Sequence, residues 1–168
     1  MNSSDAAASR RRRFDELVGV YHPDMYRYAA WLSRDQVIAE DVLQEALLRA
    51  WKSLDNLRDE ASAKQWLLTI VRRENARYFE RKRLETVDID NLTASQEALL
   101  GVEENNEFDD MRTAIFELDH EYREPLVLQV LMGYSTNEIA EQMGLKQGAV
   151  LTRLHRARAR LRDKMAQQ

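Results

Sequence analysis

Apolar residues recur at the spacing of an α-helix through most of the chain, and this pattern predicts an all-α fold. Within residues 14–32, Pro23 predicts either two short helices or one bent helix. A second apolar stripe predicts a helix over residues 37–54, and a third helix starts near Ala63. The second helix is expected to bury Ile38, Val42, Ala46, Leu47, Ala50, Trp51 and Leu54. The third is expected to bury Trp66, Leu67, Ile70 and Val71.

The carboxy-terminal part carries sharper signals for helix ends. Ser135 and Glu138 have the spacing of a capping box, and Gly144 ends the short helix predicted over residues 136–143. A long basic helix is expected to begin near Gln147. An earlier helix is marked by Asp119 as its cap, Pro125 near its start and Gly133 beyond its end. A short capped helix, a glycine turn and a basic helix together predict a helix-turn-helix.

An acidic segment divides the chain. Residues 84–111 carry nine Asp and Glu but no Lys or Arg, and they show no sustained apolar period, so we expect a flexible linker with at most a short helix near 95–100. Residues 1–13 are predicted to form a mobile basic tail. The expected organisation is therefore two small helical domains, residues 14–83 and 112–168, joined by the acidic linker.

Composition excludes several classes of function. The chain has no cysteine, and its five glycines do not form a phosphate-binding loop. Its three histidines, His22, His120 and His155, lack the spacing of metal ligands. We therefore expect no catalytic site, metal, cofactor or small-molecule substrate. With no apolar segment long enough to cross a bilayer, the chain is expected to be soluble and cytoplasmic.

Two basic helical segments lie on either side of the acidic one, although the net charge is −4. Residues 72–83 carry six Lys and Arg against two Glu, interleaved with Tyr78 and Phe79. Arginines and aromatic rings together can pair with phosphates and stack on unpaired bases. Residues 146–168 carry seven Lys and Arg against one Asp. Because these latter residues form the second helix of the predicted helix-turn-helix, they favour binding in a DNA major groove; docking on an acidic protein is the alternative.

An exposed leucine marks a third surface. On the predicted second helix, Leu48 lies on the face opposite the apolar stripe. Its neighbours on that face are Asp41, Gln44, Glu45 and Arg49. An apolar side chain ringed by polar ones is typical of a protein-binding hot spot, but a solvated helix face with a single leucine has the same pattern. Both interpretations stay open on these residues alone.

Three segments in this order resemble the extracytoplasmic-function (ECF) group of bacterial sigma factors. The polymerase-binding helix of that group resembles AEDVLQEALLRAW, and its minus-ten helix resembles WLLTIVRRENARYFERKR. Its minus-35 helix-turn-helix resembles REPLVLQVLMGYSTNEIAEQMGLKQGAVLTRLHRARARLR. The resemblance covers nearly all of residues 14–165.

The resemblance implies a subunit that binds core RNA polymerase and directs initiation at specific promoters. Core polymerase would bind Asp41, Gln44, Glu45, Leu48 and Arg49. Minus-ten DNA would be read and melted by residues 55–62 together with Arg72, Arg73, Asn75, Arg77, Tyr78, Arg81 and Lys82. Minus-35 DNA would be read by Lys146, Gln147, Leu151, Thr152, Arg153, His155 and Arg156.

The resemblance also implies control by a cognate anti-sigma factor, which in this group is often membrane-bound. Two alternative functions fit the same residues. A helix-turn-helix repressor or activator would bind a palindromic site tightly without polymerase. A sigma-like protein that only occupies an anti-sigma partner would bind that partner and never start transcription.

Overall fold

The computed structural model describes residues 2–85 and 106–167. For residues 106–108 it describes the backbone but not the side chains. Every regular element in these ranges is helical, as the sequence predicts. The α-helices are α1 (Ser3–Ser33), α2 (Gln36–Lys52), α3 (Ala63–Glu85), α4 (Asn106–Phe116), α5 (His120–Val130), α6 (Thr136–Met143) and α7 (Gln147–Ala166). The described residues divide into two compact units. The first contains 2–29 and 37–85, and the second contains 30–36 and 106–167.

Helix α1 is longer and more regular than the sequence suggests. It begins at Ser3, so residues 3–13 form its first turns instead of an irregular tail, and it continues as one helix through Pro23. A proline inside a helix removes one backbone hydrogen bond. Met25, Tyr28 and Ala29, on the turns that follow, are fully buried. Their burial offsets that loss, because tertiary packing supplies most of the stability of a helix in a protein.

One buried cluster of the first unit lies between α1, the connection from α2 to α3, and the start of α3. Leu17, Leu54, Leu57 and Ala63 form this cluster. The partly buried rings of Phe14, Tyr21 and Trp66 pack against it. Helix α2 buries Ala39, Val42, Leu43, Ala46 and Ala50. Of the predicted inward-facing residues of α3, Leu67, Ile70 and Val71 are buried and Trp66 is partly buried.

The helix ends in the second unit match the sequence signals closely. Ser135 Oγ accepts a hydrogen bond from the Glu138 N–H at 3.2 Å, and the Glu138 carboxylate accepts one from the Ser135 N–H at 2.7 Å. Gly144 ends α6 in the left-handed conformation, with φ of 64°, which glycine adopts without steric cost. Helix α7 begins at Gln147 and packs on α5 and α6. Its buried residues are Val150, Leu154 and Ala157.

A buried arginine holds the turn between α4 and α5. Arg123 Nη1 donates to the carbonyl oxygens of Leu118 at 2.8 Å and Phe116 at 3.3 Å. Burial lowers the pKa of this guanidinium to about 10. Asp119 stands at the N-cap of α5 as predicted, but its carboxylate makes no capping bond and is paired with Arg160 instead.

The predicted linker lies only partly within the described residues. The predicted linker, residues 84–111, overlaps the end of α3 and the start of α4, and the short helix near 95–100 lies outside the described residues. In the described ranges, no helix has the length and apolar character needed to cross a bilayer.

Candidate polymerase and nucleic-acid interfaces

The predicted polymerase-binding residues share one exposed face of α2. All five side chains, Asp41, Gln44, Glu45, Leu48 and Arg49, are exposed, and their i, i+3, i+4, i+7 and i+8 spacing aligns them along the helix. Leu48 is 53% exposed although it is a large aliphatic side chain. An exposed leucine flanked by carboxylates, an amide and a guanidinium provides an apolar anchor with a polar rim, which suits a protein partner.

A buried carboxylate joins this face to α3. The Glu74 side chain is only 6% exposed, and its Oε1 lies 3.2 Å from Arg49 Nε on α2 and 3.2 Å from Arg77 Nη1 on α3. The two guanidiniums, each about half exposed, supply the positive charge that a buried carboxylate requires. Sequence reasoning missed Glu74. The signal was its spacing, since Glu74 follows the inward-facing Leu67 and Ile70 by seven and four residues.

The predicted minus-ten residues of α3 occupy different environments. Arg73, Arg77, Arg81 and Lys82 are exposed, and Arg72 and Tyr78 are half-buried. Tyr78 and Phe79 meet edge to face with ring centroids 5.3 Å apart, and Lys82 Nζ lies 5.8 Å from the Tyr78 ring. The exposed cations and the tyrosine form a surface that suits phosphates and an unstacked base.

Asn75 differs from the other predicted minus-ten residues. It is buried, 4% exposed, and its Oδ1 atom has no hydrogen-bond partner. Asn75 follows Leu68 and Val71 by seven and four residues, so it belongs to the inward face of α3. In this conformation its side chain is not presented to a ligand, and its contact with DNA stays a prediction.

A groove of about 210 Å³ separates α2 from the second half of α3. Asp41, Val42, Gln44 and Glu45 line it from α2, and Glu74, Tyr78 and Arg81 line it from α3. Residues predicted to bind polymerase and residues predicted to bind minus-ten DNA therefore meet along one groove of the first unit.

Residues 55–62, in the connection between α2 and α3, are here called loop 55–62, and contacts within this segment contribute to its order. Leu57 is buried, whereas Asn56 and Arg58 on either side of it are exposed. The Asp59 carboxylate accepts a hydrogen bond from the Ala61 N–H at 3.0 Å. The loop therefore presents a polar amide and a cation from a fixed backbone.

Helix α7 presents the predicted minus-35 residues at its amino-terminal end. Lys146, Gln147, Leu151, Thr152, His155 and Arg156 are exposed, and Arg153 is half-buried. Gln147 Nε2 donates to Thr136 Oγ1 at 3.1 Å, which ties the start of α7 to the start of α6. Thr152 Oγ1 donates to the Gly148 carbonyl oxygen at 3.0 Å. The exposed set places cations and hydrogen-bonding side chains where a recognition helix reads base edges.

Three later cations of α7 have partners in their own unit. Arg160 Nη1 lies 2.6 Å from Asp119 Oδ2, and its guanidinium lies 4.3 Å from the Tyr122 ring. The hydrogen bond with Asp119 raises the pKa of Arg160. Lys164 Nζ lies 2.5 Å from Glu117 Oε2, and Arg158 donates to Gln129. These contacts hold α7 against α5 and the residues just before it, and they do not involve the exposed side chains of its first turns.

Known proteins share both halves of this arrangement. The family model for Sigma-70 region 2 matches residues 17–85, and the model for Sigma-70, region 4 matches residues 108–161. The ECF RNA polymerase sigma factor EcfG of Rhodopseudomonas palustris is 31% identical over 150 residues, covering 89% of this chain and 82% of that protein. SigL, an ECF RNA polymerase sigma factor of Mycobacterium tuberculosis, is 33% identical over 165 residues, covering 93% of this chain and 88% of SigL.

A solved structure agrees with these relatives. The sigma factor RpoE of Bartonella quintana, in complex with the anti-sigma factor NepR, is similar with a TM-score of 0.80 and 26% identity, over 92% of this chain and 98% of that chain. The resemblance seen in the sequence is thus confirmed across both units. The protein belongs to the ECF family of RNA polymerase sigma factors, and it is a DNA-binding transcription initiation factor, not an enzyme.

Proposed function

We propose that the exposed face of α2 is the surface that binds core RNA polymerase. The observation that carries this assignment is the exposure of Leu48, which is 53% exposed and ringed by polar side chains on one helix face. The rim carries both signs of charge, in Asp41, Glu45 and Arg49. The polymerase surface should therefore offer an apolar pocket with polar groups of both charges around it.

Loop 55–62 and the exposed residues of α3 read and melt the minus-ten element. Melting needs an unpaired base to be held outside the duplex, at a cost of a few kcal/mol. Tyr78 supplies a ring for stacking, and Arg73, Arg81 and Lys82 supply phosphate contacts. Arg77 contributes less to DNA binding than its charge implies, because Glu74 already pairs with it.

The first turns of α7 read the minus-35 element in the major groove. Arg156 is exposed, so it is free to bond guanine in two places. Lys146, Gln147, Leu151, Thr152, Arg153 and His155 complete the predicted surface. Residues 14–83 and 112–168 then act as two DNA-binding domains joined by the linker. Polymerase fixes their separation, so that two weak contacts act together through a high effective concentration.

An anti-sigma factor controls this chain in the cytoplasm, and holds it at the membrane where that factor is anchored there. The complex of the related RpoE with NepR supports this part of the proposal. Purification of the chain from uninduced cells of its own species should recover a stoichiometric partner other than polymerase. A chain bound entirely to polymerase under those conditions would contradict the proposal.

A single substitution that introduces a charge tests whether the exposed face of α2 binds core polymerase. Leu48→Asp places a carboxylate at the centre of the proposed contact, where it must be desolvated on binding, so holoenzyme assembly should fall by more than about a hundredfold. Val20→Asp is the matched control, since Val20 is 66% exposed on α1 of the same unit. Affinity is measured by titrating labelled chain with core polymerase, and circular dichroism checks that both variants keep their helices.

Start-site mapping tests the function as a whole. Wild-type chain added to core polymerase should initiate at a specific set of sites on its own genome, and Leu48→Asp should not. Tight binding of the free chain to a palindromic site, with no effect on initiation, would favour a conventional repressor or activator instead. Normal assembly of Leu48→Asp would show that polymerase binds another face.

A further inference from the structure

The first turns of α1 make long-range contacts that the family match does not include. The Sigma-70 region 2 match begins at residue 17, whereas α1 begins at Ser3. Four arginines, Arg10 to Arg13, lie in this amino-terminal extension. Two of them reach residues more than 40 positions later in the chain, at the end of α2 and in loop 55–62.

Arg13 binds loop 55–62 at two points. Its Nε donates to the Glu60 carboxylate at 2.7 Å, and its Nη2 donates to the Leu57 carbonyl oxygen at 2.7 Å. Glu60 is 59% exposed, so the ion pair alone contributes little. The bond to Leu57 is partly buried and charge-assisted, which makes it the stronger contact. The planar guanidinium of Arg13 thus links the buried Leu57 to Glu60, three residues later in the loop.

Arg10 holds the start of the same loop. Its Nη2 donates to the Trp51 carbonyl oxygen at 2.6 Å, and its Nε lies 3.6 Å from Asp55 Oδ1. The guanidinium also lies 4.4 Å from the Trp51 ring, which in turn packs edge to face on Phe14 with centroids 5.2 Å apart. Arg10 therefore fixes the residues that lead from α2 into the loop.

These contacts distinguish the two arginines from their neighbours. Arg11 pairs with Asp15 on the same helix at 3.9 Å and is 79% exposed, and Arg12 is exposed. The basic run is therefore not a uniform electrostatic tail. The first and last members of the run, Arg10 and Arg13, contact loop 55–62 and the chain leading into it, and the two between them, Arg11 and Arg12, are exposed.

We propose that Arg10 and Arg13 are positioning residues for minus-ten recognition. They hold loop 55–62 in the conformation that presents Asn56 and Arg58. Because the loop is then already ordered in the free protein, DNA binding does not carry the entropic cost of ordering it. The inference rests on the proposed role of this loop in reading the minus-ten element. It adds that the first turns of α1, which precede the region 2 match, affect how well the loop discriminates the minus-ten element.

Hydrogen exchange of the full chain tests the contact without any DNA. Arg13→Ala should speed amide exchange at Leu57, Ala61 and Ser62 by about threefold to tenfold, and the double variant with Arg10→Ala should speed it further. Arg12→Ala is the control, because it removes the same charge from the same helix without touching the loop. Unchanged exchange in the double variant would overturn the inference.

Initiation assays test the consequence for promoter recognition. Holoenzymes are compared on one mapped promoter and on versions with a substituted minus-ten or minus-35 element. Arg13→Ala should lower the discrimination against the minus-ten substitution by about threefold to tenfold and leave discrimination at minus-35 unchanged. A general loss of stability would lower both together, and Arg12→Ala should lower neither. A parallel loss at both elements would overturn the inference.

Variants within the loop separate this inference from the function on which it rests. Asn56→Ala and Arg58→Ala should each lower minus-ten discrimination. If they do and the Arg10, Arg13 double variant does not, the positioning role is wrong and the proposed function of the loop stands. If neither loop variant changes discrimination, the proposed function of the loop fails and the positioning role fails with it.

Discussion

Helices α3 and α7 are the two basic helices of this protein, and they use their charge differently. In α3, cations spread over the second half of the helix; Arg77 pairs with the buried Glu74, as does Arg49 from α2, and Lys82 pairs with Glu85. Along α7, Lys146 and Arg156 are exposed, whereas Arg160 and Lys164 are bound to Asp119 and Glu117 in the same unit. The number of arginines in a helix therefore overstates the charge that DNA meets.

The location of the counter-charges explains the difference. In the proposed function only the start of α7 enters a groove, and acidic side chains pair with cations at its far end, where the helix packs on α5. Helix α3 shares its unit with the proposed polymerase-binding face, and its neutralising carboxylate lies between the two surfaces. The far end of α7 is therefore bound to its own unit, whereas α3 is linked through Glu74 to the proposed polymerase-binding face of α2.

The largest expected effect is on minus-35 binding, and it distinguishes the exposed Arg156 of α7 from Arg160, which is paired with Asp119. Arg156→Ala should weaken minus-35 binding by about 1–3 kcal/mol, because an exposed arginine at this position reaches base edges. Arg160→Ala removes the same charge from the same helix and should change minus-35 affinity much less, since Arg160 is paired with Asp119. Holoenzyme affinity for promoters with native and substituted minus-35 elements measures both. Equal losses in the two variants would mean that the Asp119 pairing does not withhold Arg160 from DNA.

A smaller effect is expected at the link between α2 and α3. Glu74→Gln keeps the shape of the side chain but releases two half-exposed guanidiniums, which water can solvate. The free energy of unfolding should fall by about 1 kcal/mol, and affinity for minus-ten DNA should rise about twofold to fivefold with a steeper salt dependence.

Glu80→Gln provides the charge-matched control for that experiment. Glu80 is exposed on the same helix, so its substitution changes the net charge without freeing Arg49 or Arg77. Denaturant unfolding and DNA titrations at several salt concentrations compare the two. If Glu80→Gln raises affinity as much as Glu74→Gln, net charge alone accounts for the change.

The smallest expected effect concerns the start of α6. Ser135→Ala removes one half of the capping box and should lower the free energy of unfolding of the second unit by about 1 kcal/mol. Asn137→Ala, at an exposed position in the first turn of the same helix, should cost less. Urea denaturation of the full chain measures both, and the first unit should unfold unchanged. An equal cost at Asn137 would argue against the capping box as the source.

Local signals in the sequence were sufficient where the determining contacts are themselves local. Ser135 and Glu138 are three residues apart, and Gly144 needs only its own backbone freedom, so the bounds of α6 follow from the sequence. The start of α7 follows for the same reason. The exposed face of α2 was also predictable, since the spacing of its apolar stripe leaves Leu48 outside.

Contacts between distant residues could not be predicted in this way. The first turns of α1 contain small polar and basic residues that predict a tail, but Arg10 and Arg13 find partners 41 and 47 positions away. Pro23 left two short helices or one bent helix open, and the structure has a single helix, with buried residues on the turns after the proline. Asn75 is a different case. The family resemblance placed it among the minus-ten residues, although its spacing from Leu68 already indicated the interior.

Buried positions and the exposed positions proposed to read DNA are interleaved along α7. Val150, Leu154 and Ala157 hold the helix in place, and the exposed Leu151, Thr152, His155 and Arg156 lie between them. A library that randomises only the exposed four positions would leave every buried contact of the helix unchanged. The helix is therefore a natural starting point for engineering orthogonal promoter and sigma pairs, in which specificity changes while the scaffold stays constant.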